Sequence, residues 1–415
     1  YDTLVAAFVA ESFWNITRPK RADDLGKSQD SYVVHNTPQG ISTMQAKFVL
    51  KGSFQSCCGR PKLGVQTRHQ PSYLTALSRS PRESVRAGVV AGGKVYIDPT
   101  EKEAAAFAPA TVANLGPGFD WLGCAVEGQG DTVVARVLPD RPGEVVIDSI
   151  DGDGGRLSLS AADNCAGIGA LEVLKRLGAA PSCGVSLKLH KGLPLGSGMG
   201  SSAASAAAGA AATNALFGSP VPREELVLAG LVSEAAVSGY HADNIAPAVL
   251  GGFVLVRSAE PLDLQPLAFG GGDLWFVLVN PEFEAPTKEM RAVLPAEVPL
   301  ESMISNCLQG GSLVASILTG DARQLGRALG SDRVIEPTRG PLIPGFAAVK
   351  EAAGSAGGFG CTISGAGPTA VAVVPDPDTG HRVGEAMAAA FREAGNLGVN
   401  SVQVVRLCER GTRLV

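Results

Sequence analysis

The feature that most constrains this chain is a glycine- and serine-rich turn that opens onto an alanine-rich helix. Between Lys191 and Arg223 the sequence has no charged residue, and the segment 194–204 is Pro-Leu-Gly-Ser-Gly-Met-Gly-Ser-Ser-Ala-Ala. Glycines let the backbone approach an anion closely, and the free N–H groups at the start of the helix favour negative charge. The sequence therefore predicts a phosphate-binding loop followed by a helix.

The residues of this loop exclude several other glycine-rich segments. A flexible linker would not precede a run of strong helix formers, and a membrane-spanning helix would not hold this much Gly, Ser and Pro together with Asn214. A Walker A loop needs a Lys before its Ser or Thr, which is absent here. A dinucleotide-binding turn has the spacing G-x-G-x-x-G, whereas this loop has G-x-G-x-G.

Composition and charge narrow the class of protein. A chain of 415 residues with 45% hydrophobic residues is long enough for two folded domains. Its eight cysteines have no Cys-x-x-Cys spacing, so they predict neither a zinc site nor a disulfide framework, and a reducing compartment fits best. Residues 104–415 carry 21 Lys and Arg against 31 Asp and Glu. This acidic balance argues against nucleic acid as a partner.

The first 103 residues differ from the rest, with 14 Lys and Arg against 9 Asp and Glu. From Met44 to Ile97 there are nine basic residues and a single acid, which is typical of an organelle transit peptide. We therefore predict a disordered extension over 1–103, with a transit peptide at 44–97 and a start at Met44. A basic arm with another role is the alternative. Plastid stroma is the expected location, and the cytoplasm is expected if there is no transit peptide.

Beyond Thr100 the pattern is that of a folded α+β protein. Alternating apolar residues predict strands at 131–138, 144–150, 183–190, 252–257 and 274–280. Helices are expected at 162–177, 203–216, 222–237, 302–318 and 321–329. The chain should then close with helix 345–356, strands 359–364 and 369–375, helix 379–394 and strand 401–407.

Three motifs resemble those of the GHMP kinases, the first of them in its homoserine kinase version. The loop at 194–204 is similar to the signature P-x-x-x-G-(L/M)-G-S-S-A-A, segment 107–123 (FAPATVANLGPGFDWLG) to the first motif, and segment 360–370 (GCTISGAGPTA) to the third. Segment 238–248 (SGYHADNIAPA) is also typical of homoserine kinases. The resemblance spans about residues 104 to 415. It implies a ribosomal-protein-S5-like ATP-binding domain at 104–280 and a ferredoxin-like domain at 281–415.

The resemblance also implies ATP as co-substrate and Mg²⁺ as cofactor. Phosphoryl transfer needs a cradle for the triphosphate, a cation to offset its charge, and a positioned hydroxyl. Mg²⁺ keeps several waters, so one carboxylate and one hydroxyl suffice as protein ligands. Glu234 matches the family's Mg²⁺ glutamate, with a hydroxyl from Ser201 or Ser202. The expected ATP-binding residues are Pro194, Leu195, Gly196, Ser197, Gly198, Met199, Gly200, Ser201, Ser202, Ala203 and Ala204.

For the acceptor, the resemblance implies L-homoserine, a small zwitterion. A planar guanidinium suits a carboxylate, and a carboxylate or amide oxygen suits an ammonium. The residues that match this pocket are Asn114, Asp120, His241, Asn244, Arg291 and Arg339. Asp120 and Glu234 are the candidate catalytic residues, although the role of Asp120 stays open between substrate binding and proton acceptance.

These expectations describe an ATP-dependent kinase that makes O-phospho-L-homoserine for threonine synthesis. We expect a homodimer, with neither nucleic acid nor membrane as partner. Two alternatives remain: another small-alcohol kinase of the superfamily, and a catalytically silent sensor that binds nucleotide and metabolite. Retention of Glu234 together with two arginines argues against the sensor.

Overall fold

A computed structural model describes residues 87–91, 94–177, 180–237 and 239–415, all within the unit Ala76–Val415. The strands are β1 Ala87–Ala91, β2 Lys94–Ile97, β3 Glu103–Ala113, β4 Leu122–Leu138, β5 Val145–Asp151, β6 Ala180–Pro181, β7 Gly184–His190, β8 Phe253–Ala259, β9 Leu262–Leu267, β10 Trp275–Pro281, β11 Gly360–Ile363, β12 Ala370–Val374, β13 Val399–Arg406 and β14 Arg413–Leu414. The α-helices are α1 Cys165–Arg176, α2 Ser201–Leu216, α3 Arg223–Val237, α4 Ala242–Leu250, α5 Thr287–Ala292, α6 Leu300–Thr319, α7 Ala322–Leu329, α8 Glu336–Arg339, α9 Phe346–Ser355 and α10 Pro377–Gly395.

Two of the described strands, β1 and β2, lie earlier in the chain than the sequence predicts. Strand β1 pairs with β2, and β2 pairs in parallel with β6. Ile97 is buried in the main hydrophobic cluster. The prediction of a disordered extension up to residue 103 is therefore corrected for residues 87–91 and 94–103, because β2 finds a partner that is distant in sequence. The rest of the predicted transit peptide, 44–86, lies outside the described residues, as does Met44.

A seven-stranded sheet forms the framework of the first half, with β14-β3-β4-β7-β5 in order and β8 and β9 continuing from β4. β3 and β4 pair antiparallel along their length, and β5 joins β7 in parallel. Helices α1, α2 and α4 pack on this sheet, α2 on both β3 and β4, and α3 packs on these three helices. All residues of α2 except Ser202 are buried. Such a helix must be apolar all round, which explains its nine alanines.

Two glycines allow α1 and α2 to approach closely. A Cβ atom on Gly209 of α2 would lie 2.4 Å from the carbonyl oxygen of Ala166, and one on Gly169 of α1 would lie 2.6 Å from that of Ala206. Neither distance is possible without movement of the backbone. The helix that carries the phosphate loop is therefore held against α1 by contacts that only glycine permits.

We expect Gly209→Val to destabilise the protein by about 1–3 kcal/mol, because an added side chain in a packed interior forces the backbone apart. Thermal unfolding followed by circular dichroism measures this as a lower Tm. Gly311→Ala is the matched control, since Gly311 is a helical glycine with open space around it; it should raise stability by roughly 0.5–1 kcal/mol. Equal Tm values for Gly209→Val and wild type would contradict the close contact.

A second, antiparallel sheet has the order β11-β12-β10-β13. It has its own hydrophobic cluster. Val277 and Ala372 of the sheet are buried there with Phe391 of α10 and with residues of α9. The predicted domain border between residues 280 and 281 falls inside β10, which pairs with β12 and β13. The division at this border stays a prediction.

The α+β class and most of the predicted elements are confirmed, with ends that differ by one to three residues at most helices and strands. The largest difference is β4, which begins at Leu122 rather than near residue 131. In the described part of the chain the cysteines are free thiols. Over the same residues, none of the helices combines the length and the apolar character that crossing a bilayer requires.

Candidate active site

A cleft of about 560 Å³ opens where the glycine loop meets the start of α2. Residues from four parts of the sequence line it: the first motif, the segment 156–165 that leads into α1, the loop with α3 and α4, and the second half of the chain. Of the predicted site residues, those that line the cleft are Asn114, Asp120, Leu195, Gly196, Ser197, Gly198, Gly200, Ser201, Ser202, Glu234, His241, Asn244, Arg291 and Arg339.

Four predicted loop residues do not line the cleft. Met199, Ala203 and Ala204 are fully buried in the main hydrophobic cluster, because alternate positions of the turn and the inner face of α2 point into the core. The carbonyl oxygen of Pro194 accepts a hydrogen bond from Ser197 Oγ at 2.8 Å. These residues support the loop from behind.

The loop glycines adopt backbone conformations that favour glycine. Gly196, Gly198 and Gly200 have φ angles of 65°, 78° and 68°. A Cβ atom on Gly198 would lie 2.5 Å from the carbonyl oxygen of Ser364, and one on Gly200 would lie 1.9 Å from Thr111 Oγ1. Substitution at either position would therefore displace the start of α2.

The third motif contacts this loop through hydrogen bonds. Ser364 Oγ donates to the carbonyl oxygen of Gly198 at 2.8 Å, and the Thr369 N–H donates to that of Ser197 at 3.2 Å. The Asn114 amide donates to the carbonyl oxygen of Gly365 at 2.8 Å. The turn at 364–369 thus connects the glycine loop to the first motif.

The first motif holds three non-glycine residues in the left-handed region. Asn114, Leu115 and Asp120 have φ angles of 71°, 47° and 63°, a conformation that costs free energy and recurs at functional sites. Asn114 Oδ1 accepts a hydrogen bond from the Asp120 N–H at 3.0 Å. Both ends of the Asn114 amide are thus engaged with backbone, and Asn114 positions Asp120.

Arg291 and Asp120 form a two-point ion pair. Arg291 Nη1 donates to Asp120 Oδ2 at 3.0 Å, and Nη2 donates to Oδ1 at 2.7 Å. Arg291 Nη2 also lies 3.4 Å from His241 Nδ1. Burial lowers the pKa of His241, and the nearby Asp120 carboxylate opposes this only in part. This shift favours the neutral imidazole, which lies beside the ion pair.

Arg339 is deeply buried, with 2% of its surface exposed. Its Nε donates to the carbonyl oxygen of Met290 at 2.8 Å. Its guanidinium carbon lies 4.9 Å from the centre of the Phe119 ring, and that of Arg291 lies 5.2 Å from the same centre. Burial and the neighbouring Arg291 charge lower the pKa of Arg339 to about 10, so it remains a cation at pH 7.

Two N–H groups of these arginines have no hydrogen-bond partner among the described residues: Arg291 Nε and Arg339 Nη2, both buried. Unsatisfied buried donors on charged groups are costly. Two cations beside one aromatic ring, each with such a donor, form a site that suits an anion. The adjacent Asp120 supplies a negative charge within the same pocket.

Glu234 and two serines are the candidate magnesium ligands. Glu234 is buried and lines the cleft together with Ser201 and Ser202. Ser201 Oγ donates to the carbonyl oxygen of Leu193 at 3.1 Å and accepts from Lys191 Nζ at 2.7 Å, so the ammonium already engages one of its two lone pairs. The described residues contain no group of three or more His, Cys, Asp or Glu side chains that could hold a metal. A carboxylate, the Ser202 hydroxyl and substrate phosphates fit Mg²⁺.

Sequence reasoning missed Asp243 in the cleft. It is fully buried in the second position of α4, and burial raises its pKa to about 7, with further increases from the charges of Asp120 and Glu234. It also missed Lys191 and Asp131, which form a buried ion pair beneath the loop. The signal for Lys191 was its position as the last charge before the uncharged stretch.

The raised pKa of Asp243 makes stability dependent on pH. An unfolded aspartate has a pKa of about 3.9, so between about pH 4 and 7 the folded protein holds a proton that the unfolded chain has released. This contribution to stability is therefore lost as pH rises through that window. Asp243→Asn should be more stable than wild type by roughly 1–4 kcal/mol at pH 8 and nearly equal at pH 4. Urea unfolding of the metal-free proteins tests this, and a constant difference between the two pH values would contradict it.

Comparison with known proteins shows the family of the chain. The family model "GHMP kinases N terminal domain" matches residues 164–252, and "GHMP kinases C terminal" matches residues 313–393. A homoserine kinase from Arabidopsis thaliana is 58% identical over 80% of this chain and 89% of its own length. One from Chlorobium phaeovibrioides is 43% identical over 76% of this chain and the whole of its own.

Solved structures agree with the fold. The crystal structure of homoserine kinase from Cytophaga hutchinsonii is 40% identical, has a TM-score of 0.71, and covers 76% of this chain and 98% of its own. The L. major mevalonate kinase, 18% identical, covers 74% of this chain and 98% of its own with a TM-score of 0.58, which shows a shared fold alone. The two-domain α+β GHMP kinase architecture is thereby confirmed, and this chain belongs to the homoserine kinase family of the GHMP kinases.

Proposed function

We propose that the protein transfers the γ-phosphoryl group of ATP to the side-chain hydroxyl of L-homoserine, giving O-phospho-L-homoserine for threonine synthesis. The observation that carries the choice of acceptor is the pair of buried arginine donors, Arg291 Nε and Arg339 Nη2, beside the Asp120 carboxylate. A carboxylate placed between the two donors would satisfy both of them. The ammonium of an amino acid would then have Asp120 as its counter-charge.

The nucleotide has a separate part of the cleft. The glycine loop and the first turn of α2 present backbone N–H groups suited to phosphates. Mg²⁺, held by Glu234, the Ser202 hydroxyl and the phosphates, would offset the charge of the transferring group. Thr111 Oγ1 donates to Asn244 Oδ1 at 2.8 Å, which leaves the Asn244 NH₂ as the end that meets a phosphate or hydroxyl oxygen.

No residue is assigned as a general base. Both oxygens of Asp120 accept hydrogen bonds from Arg291, which suits a substrate-binding carboxylate. The acceptor hydroxyl can pass its proton directly to the transferred phosphoryl group, since positioning and electrostatic stabilisation supply most of the catalysis in phosphoryl transfer. Asp120 therefore binds and orients substrate in this proposal.

A coupled ADP-release assay tests the acceptor. L-Homoserine, L-threonine, L-serine, mevalonate and galactose are offered at equal concentration with saturating MgATP. We expect L-homoserine to have the highest kcat/KM. Preference for mevalonate or galactose would indicate another small-alcohol kinase. If none of the five acceptors led to ADP release, the catalytically silent sensor would be favoured.

Location and assembly are further parts of the proposal. The basic, acid-poor composition of 44–97 supports import into the plastid stroma, and a fluorescent fusion of residues 44–103 that stayed cytosolic in plant cells would contradict it.

Exposed Leu300, Ile304 and Leu308 on one face of α6 support a homodimer. Light scattering at micromolar concentration measures the mass and distinguishes dimer from monomer.

A further inference from the structure

A buried lysine lies directly beneath the glycine loop. Lys191 follows β7, and its side chain, 1% exposed, forms an ion pair with the Asp131 side chain of β4, which is 0% exposed. Lys191 lines the cleft together with Ser205, but neither Lys191 nor Asp131 is among the residues assigned above to the nucleotide, the metal or the acceptor. A buried ion pair is often no more stabilising than apolar residues of the same volume, so a contribution to stability does not by itself explain this one.

The Lys191 ammonium binds the first turn of the helix that follows the loop. Lys191 Nζ donates to Ser201 Oγ at 2.7 Å and to the Ser201 carbonyl oxygen at 2.9 Å. It also donates to Ser205 Oγ at 2.9 Å. Ser201 is the first residue of α2 and Ser205 lies one turn further along.

The Asp131 carboxylate binds the other end of the loop. Its Oδ1 accepts hydrogen bonds from the N–H groups of Gly192 at 3.0 Å and Leu193 at 3.2 Å. Its Oδ2 accepts one from Ser205 Oγ at 2.7 Å. The ion pair therefore connects the residues that enter the loop with the helix turn that leaves it.

We propose that Lys191 and Asp131 are positioning residues for phosphoryl transfer: together they fix the two ends of the glycine loop so that its N–H groups converge on the phosphates. This inference rests on the proposed nucleotide site. The pair acts through its hydrogen bonds to Ser201, Ser205 and the backbone N–H groups of Gly192 and Leu193. A displacement of about 1 Å in a reacting group can cost about 100-fold in rate.

The test combines single and double variants. Lys191→Met should lower both Tm and kcat/KM for ATP, because it leaves the Asp131 charge buried without its partner. In Lys191→Met/Asp131→Asn the interior is neutral, and the Asn oxygen still accepts from Gly192 and Leu193. We expect this double variant to regain most of the lost Tm while its kcat/KM for ATP stays about 30- to 100-fold below wild type.

The acceptor KM should change by less than about threefold in the double variant, since the acceptor pocket is built from other residues. Lys188→Met, three residues earlier on β7 and half-exposed, is the matched control and should keep wild-type kinetics. A double variant with wild-type kcat/KM for ATP would overturn the proposal, because the pair would then serve folding alone.

Ser205→Ala decides the question if the double variant does not fold. It removes one hydrogen bond to each member of the pair and keeps both charges. We expect ATP binding, measured by calorimetry without acceptor, to weaken several-fold with Tm within a few degrees of wild type; unchanged binding would overturn the proposal. If the wild-type enzyme bound ATP but phosphorylated another alcohol, the proposed acceptor would be wrong, while these variants would still report on the pair.

Discussion

Glu234→Gln should lower kcat by about 10²–10⁴ while ATP binding changes little. The exchange keeps the volume of the side chain and removes its charge from a buried position in the cleft. The charge on the phosphates changes in the transition state, and a carboxylate-bound cation stabilises that arrangement more than the ground state. The loss should therefore fall on kcat rather than on the KM for ATP.

Steady-state kinetics over a Mg²⁺ titration measure this effect. Glu224→Gln is the matched control, since Glu224 lies exposed in the first turn of the same helix α3; its kinetics should equal those of wild type. A Glu234→Gln enzyme that worked within about threefold of wild type at saturating Mg²⁺ would show that the metal is held elsewhere. Thermal unfolding of both variants separates a catalytic loss from a folding defect.

The sequence predicts those parts of the fold that depend on local pattern. The glycine loop lies where its signature places it, and α2 begins at Ser201, two residues before the predicted start, and ends at Leu216 as predicted. Helix α3 and strand β7 end at the predicted residues, Val237 and His190. Periodicity and turn residues determine such features within a short window of sequence, so a single chain suffices to predict them.

Partners that are distant in sequence could not be predicted in the same way. Arg291 and Asp120 are both predicted site residues, yet nothing in their local sequence indicates that they pair across 171 positions. The Lys191–Asp131 pair spans 60 positions. The left-handed conformation of Asn114 also depends on contacts, since the Gly365 carbonyl and the Asp120 N–H hold its amide.

This pairing changes how the two arginines are understood. From sequence the two arginines are equivalent carboxylate ligands. In the structure Arg291 already binds Asp120 through both Nη atoms, and its Nε–H is the donor that has no partner among the described residues. Arg339 has no carboxylate within ion-pair distance among the described residues. The greater part of the interaction with an incoming carboxylate therefore falls to Arg339.

Arg339→Leu should consequently raise the KM for L-homoserine steeply and leave the KM for ATP nearly unchanged. Removing one partner of a buried, hydrogen-bonded charge pair costs roughly 2–5 kcal/mol, about 30- to several-thousand-fold in binding. Arg339→Lys should recover only part of this, because an ammonium lacks the planar fork of a guanidinium. Arg333→Leu, at an exposed arginine nearby in sequence, is the control and should behave as wild type.

The acceptor without its carboxylate separates a lost ionic contact from a distorted pocket. Arg339 also donates to the Met290 carbonyl oxygen, so its loss could disturb α5 and with it Arg291. If Arg339 binds the carboxylate, the corresponding amino alcohol should be a poor substrate for wild type. Its kcat/KM should also differ little between wild type and Arg339→Leu. If the variant instead lost activity equally toward both acceptors, Arg339 would serve to hold the pocket together. If wild type phosphorylated the amino alcohol as fast as it phosphorylates L-homoserine, the pocket would not recognise a zwitterion. The choice of homoserine over another small alcohol would then be wrong.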